Sequence, residues 1–214
     1  MVRKYYNDLE TDSSQKVLNA LAASGTDFVL IGGWAVNRYV KQQRSKDVDV
    51  AVDPTVLQRF KDRYGIGKYG IDVFYSIVDG VYVDLFVQGI SDRELTVPIG
   101  EIVKNCKRIE GVKVVDRNML LLLKLSGYFR EDRIKHDKDI VDAVSLIFYA
   151  DIDMQAVKRY VDTYHIDERK GPMGMLEYLD TCEHLWEFVA SSKQEYTRLG
   201  KAAKESINRV FYGR

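Results

Sequence analysis

Cysteine and histidine are scarce: two and three copies in 214 residues. Cys106 and Cys182 lie far apart with no Cys-x-x-Cys spacing, so neither a disulfide framework nor a zinc site is expected. His136, His165 and His184 are just as scattered. An excess of one charge is also missing, because 32 basic residues balance 32 acidic ones. That removes any global attraction to nucleic acid or to a membrane surface and leaves only local patches. No apolar run approaches the roughly 18 residues of a spanning helix, and "MVRKYYNDLE" carries no apolar core of a secretion signal. The expected location is the cytoplasm, with no membrane partner. Internal repeats and low-complexity tracts are absent, and the 14 tyrosines are spread along the chain and mark no particular binding surface.

What is present suits a globular protein. Hydrophobic residues make up 46% and charged residues 30%, enough to bury a core in one large domain or two small ones. The first half mixes strands and helices. "SSQKVLNALAAS" has helical spacing stopped by Gly25, "DFVLIGG" is a short buried strand ending in two glycines, and "WAVNRYVKQQ" is helix-like. "VDVAV" alternates as a strand, and Asp53-Pro54-Thr55 starts the next helix. "IDVFYSIVDGVYVDLFV" predicts a hairpin turning at Asp79-Gly80, and "CKRIEGVKVV" a second turning at Glu110-Gly111. From there on, helices alone are expected, over 117–129, 137–150, 153–164, 172–190 and 192–211. The fold class is therefore α+β: a mixed sheet flanked by helices over 1–115, then a helical domain over 116–214.

Two carboxylates single out "KDVDVAV". On a strand, Asp47, Asp49 and Ala51 share one face while Val48, Val50 and Val52 share the other. The valine face packs under helices; the aspartates must meet cations, water or metal, because a bare buried carboxylate is very costly. Asp-x-Asp also occurs at Asp137/Asp139 and Asp151/Asp153, but within or beside predicted helices, where residues two apart point different ways. A third carboxylate follows from the hairpin. If Val78 pairs with Val81, Tyr75 falls opposite Asp84, and Asp84 lies on the side away from Val81, Val83, Leu85 and Val87. Asp72, the rival third ligand, falls on the aliphatic side. Three hard oxygen donors on one sheet face suit Mg²⁺, with Mn²⁺ as an alternative, and two such ions about 3.5–4 Å apart can clamp a phosphoryl displacement. Gly32-Gly33 lets the backbone turn sharply into a helix starting near Trp34, whose N-terminus offers N–H groups to a phosphate.

Strand, Gly32-Gly33, helix, Asp47-x-Asp49 and a later Asp84 together resemble the nucleotidyltransferase superfamily of polymerase-β-like enzymes. Within it, "IGGWAVNRYV" followed by "RSKDVDVAV" is most similar to the AbiEii-type toxins of toxin–antitoxin systems. Ser45, two positions before Asp47, matches a Ser/Thr common there. "LLLKLSGYFREDRIKHDKDIVDAVSL" resembles that family's lysine-bearing helix and its Lys-Asp-x-x-Asp element. The resemblance implies that Lys124 contacts nucleotide phosphates and that Lys138, Asp139 and Asp142 form the second element, with Arg130 or Arg133 as the counterpart arginine. It covers roughly residues 25–146.

The expected activity is Mg²⁺-dependent nucleotidyl transfer from a nucleoside triphosphate to an acceptor hydroxyl. Asp47 and Asp49 hold metal, and Asp84 holds a second ion or acts as the base. Gly32, Gly33, Ser45, Lys124 and Asp139 bind nucleotide. The toxin resemblance implies an RNA acceptor such as tRNA and an antitoxin protein partner. A small-molecule nucleotidyltransferase of the antibiotic-modifying kind and a non-catalytic binding relative are the alternatives. The last helix is locally basic, with Lys193, Arg198, Lys201, Lys204, Arg209 and Arg214 against Glu195 and Glu205. It reads as an RNA track or as a solvated face.

Overall fold

Caps and side-chain alternation set the elements of a computed structural model that describes residues 2–69, 72–129 and 132–214. The chain divides into two units: Tyr6–Arg38 with Arg44–Asp116, and Met1–Tyr5 and Tyr39–Gln43 with Arg117–Arg214.

The first unit begins with α1 (Asp8–Ala23), capped by Asn7, whose side chain accepts from the Glu10 N–H. Next come β1 (Val29–Leu30) and α2 (Gly32–Val40), of which Gly32–Arg38 belong here. Then β2 (Val48–Val52) leads into α3 (Pro54–Tyr64), capped by Asp53 with Pro54 in the first turn. β3 (Gly67–Tyr69), β4 (Val73–Val78) and β5 (Val81–Val87) follow. The turn between β4 and β5 uses Asp79 and Gly80, both at positive φ as a two-residue hairpin requires. α4 (Ile99–Lys104), β6 (Cys106–Ile109) and β7 (Val112–Val115) complete the unit.

Its seven strands form one mixed sheet in the order β3-β4-β5-β2-β1-β7-β6. β2 runs parallel to β5 and antiparallel to β1, which pairs in parallel with β7. Helices α1, α3 and α4 pack on the sheet. Val48, Val50, Val52, Val83, Leu85 and Val87 are buried, together with Leu18, Leu21 and Phe60 from the helices. Each such side chain contributes roughly 1.5–3 kcal/mol by leaving water. That burial fixes the strand parity, because a one-residue slip would put the whole aliphatic row in water.

The second unit is helical: α5 (Arg117–Leu125), α6 (Arg133–Tyr149), α7 (Met154–Tyr164), α8 (Pro172–Thr181) and α9 (Lys193–Ile207). α5 packs on α6 and α7, and α6 on α8 and α9, around buried Met119, Leu122, Ile140, Val144, Met175 and Leu179. Several boundaries differ from the sequence expectation. α6 starts at Arg133, four residues early, because the Asp132 carboxylate accepts from the Ile134 and Lys135 N–H groups. The stretches expected as single helices tighten into 3₁₀ turns at Ser126–Phe129 and Cys182–Phe188, and the last widens into a π turn at Asn208–Tyr212. Apolar periodicity reports which face is buried and is insensitive to whether hydrogen bonds span three, four or five residues. α2 starts at Gly32, two residues before Trp34, and Gly32 itself keeps a left-handed φ of +63° that turns the chain out of β1.

Candidate active site

β2 and β5 position the carboxylates. In their parallel register Asp49 lies directly opposite Asp84, Val48 opposite Val83 and Val50 opposite Leu85. Directly opposed residues share a sheet face, so Asp49 and Asp84 stand side by side while the aliphatic residues face the helices. Asp84 is only partly exposed, and its Oδ1 is shut off from solvent. Asp47 precedes β2 and is likewise half-buried. The Tyr69 phenol lies within electrostatic reach of both Asp84 and Asp47. Burial first, and then the Asp84 charge, with smaller contributions from Tyr82, Tyr75 and Asp47, hold that phenol above its ordinary range. Asp72, the rival ligand, precedes β4; its carbonyl oxygen accepts from Ser91 Oγ at 2.5 Å.

The glycines meet this pair at close quarters. Gly32 has φ +63°, and a Cβ there would fall 1.9 Å from Asp49 Oδ2. Only a residue without a side chain lets the first turn of α2 lie against that carboxylate. The same end of the helix carries a partial positive charge, which favours an anionic neighbour. Gly33 lies against Ser45 in the same way, with a hypothetical Cβ 2.9 Å from Ser45 Oγ. Ser45 is itself anchored: buried Ser14 donates from Oγ to the Ser45 carbonyl at 2.6 Å and accepts from Trp34 Nε1 at 3.2 Å. The sequence reading missed Ser14 and Trp34. A polar residue amid an apolar helical stripe of α1 was the available signal.

Among the described residues, no group of three or more His, Cys, Asp or Glu is gathered so as to hold a metal ion. The donor set is a pair of hard carboxylates, Asp49 with Asp84, and nearby Asp47. This suits an ion that takes one or two carboxylates and completes its shell with water and phosphate oxygens, as Mg²⁺ does.

The other sequence candidates lie in the helical unit. Lys124 Nζ sits 3.0 Å from Asp139 Oδ1 and 2.9 Å from Asp142 Oδ2, and Lys138 also pairs with Asp142. All four are buried, so α5 and α6 are joined by an internal two-lysine, two-aspartate network. Burial pushes the Asp142 carboxyl up, but Lys124 and Lys138 outweigh it and leave the group below the ordinary carboxylate range. Burial likewise pulls the Lys138 ammonium below the usual lysine range, against the attraction of Asp142. Gly127 lies against the Asp139 carboxylate, where a Cβ would fall 2.4 Å from Oδ2. Arg133 opens α6, while Arg130 lies outside the described residues. In the basic C-terminal helix, Lys204 pairs with Asp180 at 2.5 Å and Lys193 with Glu183 at 3.4 Å. No helix among the described residues is long and apolar enough to cross a membrane.

No protein-family model and no curated protein matches this sequence. Among solved structures, JHP933 from Helicobacter pylori is similar with a TM-score of 0.50 and 12% identity, over 95% of this chain and 95% of that one. A second H. pylori chain, provisionally described as a nucleotidyltransferase, overlaps 98% of this chain and 99% of its own, with a TM-score of 0.49 and 12% identity. By fold, this chain is similar to JHP933 along nearly its whole length.

Proposed function

We propose that this protein is a nucleotidyltransferase that moves a nucleoside monophosphate from a nucleoside triphosphate to an acceptor hydroxyl. The observation that supports this most is the direct opposition of Asp49 and Asp84 on β2 and β5, with the α2 backbone held against Asp49 at Gly32. Two half-buried carboxylates are set side by side on a sheet only where something cationic or hydrated joins them. The triphosphate lies along Gly32-Gly33, where α2 N–H groups and Ser45 Oγ meet its oxygens. Asp49 and Asp84 would hold divalent metal, Mg²⁺ or Mn²⁺, its shell completed by water and phosphate oxygens. When bound, the metal offsets phosphate charge and polarises the α-phosphate.

Asp84 takes the proton of the acceptor hydroxyl as its oxygen bonds to the α-phosphorus. The bond from that phosphorus to the bridging oxygen breaks, and pyrophosphate leaves with the electron pair. In the helical unit, Asp139 and Asp142 fix the position of the Lys124 ammonium group. The AbiEii resemblance extends the reading to an RNA 3′ end, such as that of tRNA, and to an antitoxin protein partner.

The test uses triphosphates labelled at the α-phosphate, incubated with total RNA and, separately, with a panel of hydroxylated small molecules. Label in RNA, lost in Asp49→Asn, supports the reading. Label on a small molecule replaces the RNA acceptor with the antibiotic-modifying kind. No transfer from any triphosphate to any acceptor, with Mg²⁺ or Mn²⁺ present, overturns it.

A further inference from the structure

The strands beyond Asp84 carry a row of tyrosines that the transfer step does not use. Tyr75 on β4 is the register partner of Asp84 on one side and of Gly67 on the other. A Cβ at Gly67 would fall 2.2 Å from the Tyr75 ring, so the missing side chain is what lets that ring lie across β3. There it stacks on Tyr69, with centroids 4.4 Å apart and planes 25° from parallel. Tyr82 on β5 continues the row at 5.6 Å from Tyr75. This is not a core cluster. Tyr69 and Tyr82 remain 45% and 42% exposed, and Ile77, opposite Tyr82 in the register, is 49% exposed. Tyr75 is directly opposed to Asp84, and Tyr82 and Tyr69 keep the same parity on their strands, so rings and Asp84 share one face.

The chemistry of the row limits what it can hold. A stack of phenols, cradled by a glycine and left open to solvent, presents a flat π surface whose natural partner is another planar unsaturated ring. Lys68, the cation of β3, turns to the opposite face and lies 5.1 Å over the Phe74 ring. β3 therefore adds no positive charge beside the rings, and a long phosphate backbone gains little there. A short unpaired end gains from stacking alone, which is tolerant of base identity. With the donor phosphates on the proposed Gly32–Ser45 side of Asp49, the β3–β5 side, beyond Asp84, is left for the acceptor.

We infer that Tyr69, Tyr75 and Tyr82 form a stacking platform for the unpaired terminal nucleobase of a single-stranded nucleic-acid acceptor, setting its terminal hydroxyl beside Asp84. The inference rests on the nucleotidyl-transfer reading and names its acceptor class.

The experiment titrates a single-stranded RNA tetranucleotide into the full chain at low and high salt, following anisotropy of a 5′ label. Binding of each triphosphate is measured in parallel, and melting checks the fold of every variant. The tetranucleotide is expected to bind with little dependence on salt. Tyr69→Ala with Tyr82→Ala should weaken it on the order of tenfold or more, Tyr69→Phe with Tyr82→Phe should restore it, and triphosphate binding should stay unchanged. Undiminished binding by the folded alanine variant overturns the platform. So does equal competition by a blunt duplex, or by a hydroxylated sugar ring. A concentration-dependent dimer abolished by the alanine changes would make the face a contact between copies and overturn it equally. The two readings fail separately. Transfer to RNA with an unchanged acceptor KM in the alanine variant removes the platform alone. Ring-dependent binding without transfer from any triphosphate removes the transferase alone.

Discussion

Gly32→Ala tests the geometry of the site through one methyl group. Gly32 sits at φ +63°, and its added Cβ would lie 1.9 Å from Asp49 Oδ2. Gly25 provides the control, since its φ is +71° and a Cβ there meets nothing within 4 Å. Both alanines carry the left-handed backbone cost of roughly 1–2 kcal/mol. For a chain of this size that lowers the Tm by roughly 2–8 °C. Only Gly32→Ala also collides with the carboxylate. Restoring an ordinary contact of 3.4 Å requires Asp49 to retreat about 1.5 Å. A displacement of about 1 Å at a reacting centre costs on the order of a hundredfold in rate, so transfer should fall at least that far in Gly32→Ala and hold in Gly25→Ala. Differential scanning calorimetry and incorporation of α-labelled triphosphate read the two effects. Equal melting losses with equal, undiminished transfer in both variants would refute the claim that the glycine exists to admit Asp49.

Three further outcomes follow from the buried groups. Asp142→Asn leaves Lys124 and Lys138 without the carboxylate they share and should lower stability by roughly 3–5 kcal/mol; a urea midpoint shift worth under about 1 kcal/mol contradicts the network. The folded Asp142 carboxyl lies below the ordinary value of about 3.9. Its stabilisation is therefore complete above that pH and is lost as pH falls through the folded value. The stability gap between the native chain and Asp142→Asn should accordingly shrink in acid, and a pH-independent gap would contradict this. Burial pushes the Cys182 thiol up to about 12, whereas Cys106 is partly exposed. A thiol reagent near pH 8 should titrate one cysteine in the folded chain and both in denaturant.

Much of the first unit was legible because strand parity is a local property. Alternating valine and aspartate in "VDVAV", and the aliphatic row from Val81 to Val87, reveal buried and open faces without knowledge of the partner strand. Asp79-Gly80 likewise fixes the hairpin register that sets Tyr75 opposite Asp84. What stayed hidden depends on pairings that no local signal encodes. The opposition of Asp49 and Asp84 arises from a parallel pair whose strands are joined through α3, β3 and β4. The tyrosine row needs β3, three residues long and too short to show alternation, and it needs Gly67 beneath Tyr75. Tyrosines that look dispersed along the chain are gathered by strand order. In the helical unit, Lys124 and Asp139 drew notice as resembling a motif. Their ion pair depends on how α5 packs against α6, which periodicity does not report.

In the proposed reaction Asp49 and Asp84 act together at one reacting centre. The most direct measurement is transfer from an α-labelled triphosphate by the native chain, Asp49→Asn, Asp84→Asn and the double variant, each with melting and triphosphate affinity recorded. Each variant should fold; either single change should remove nearly all transfer, and the double change should add little further loss, as groups acting as a unit behave. Full transfer by folded Asp84→Asn, or independent multiplicative losses from the two sites, would contradict it.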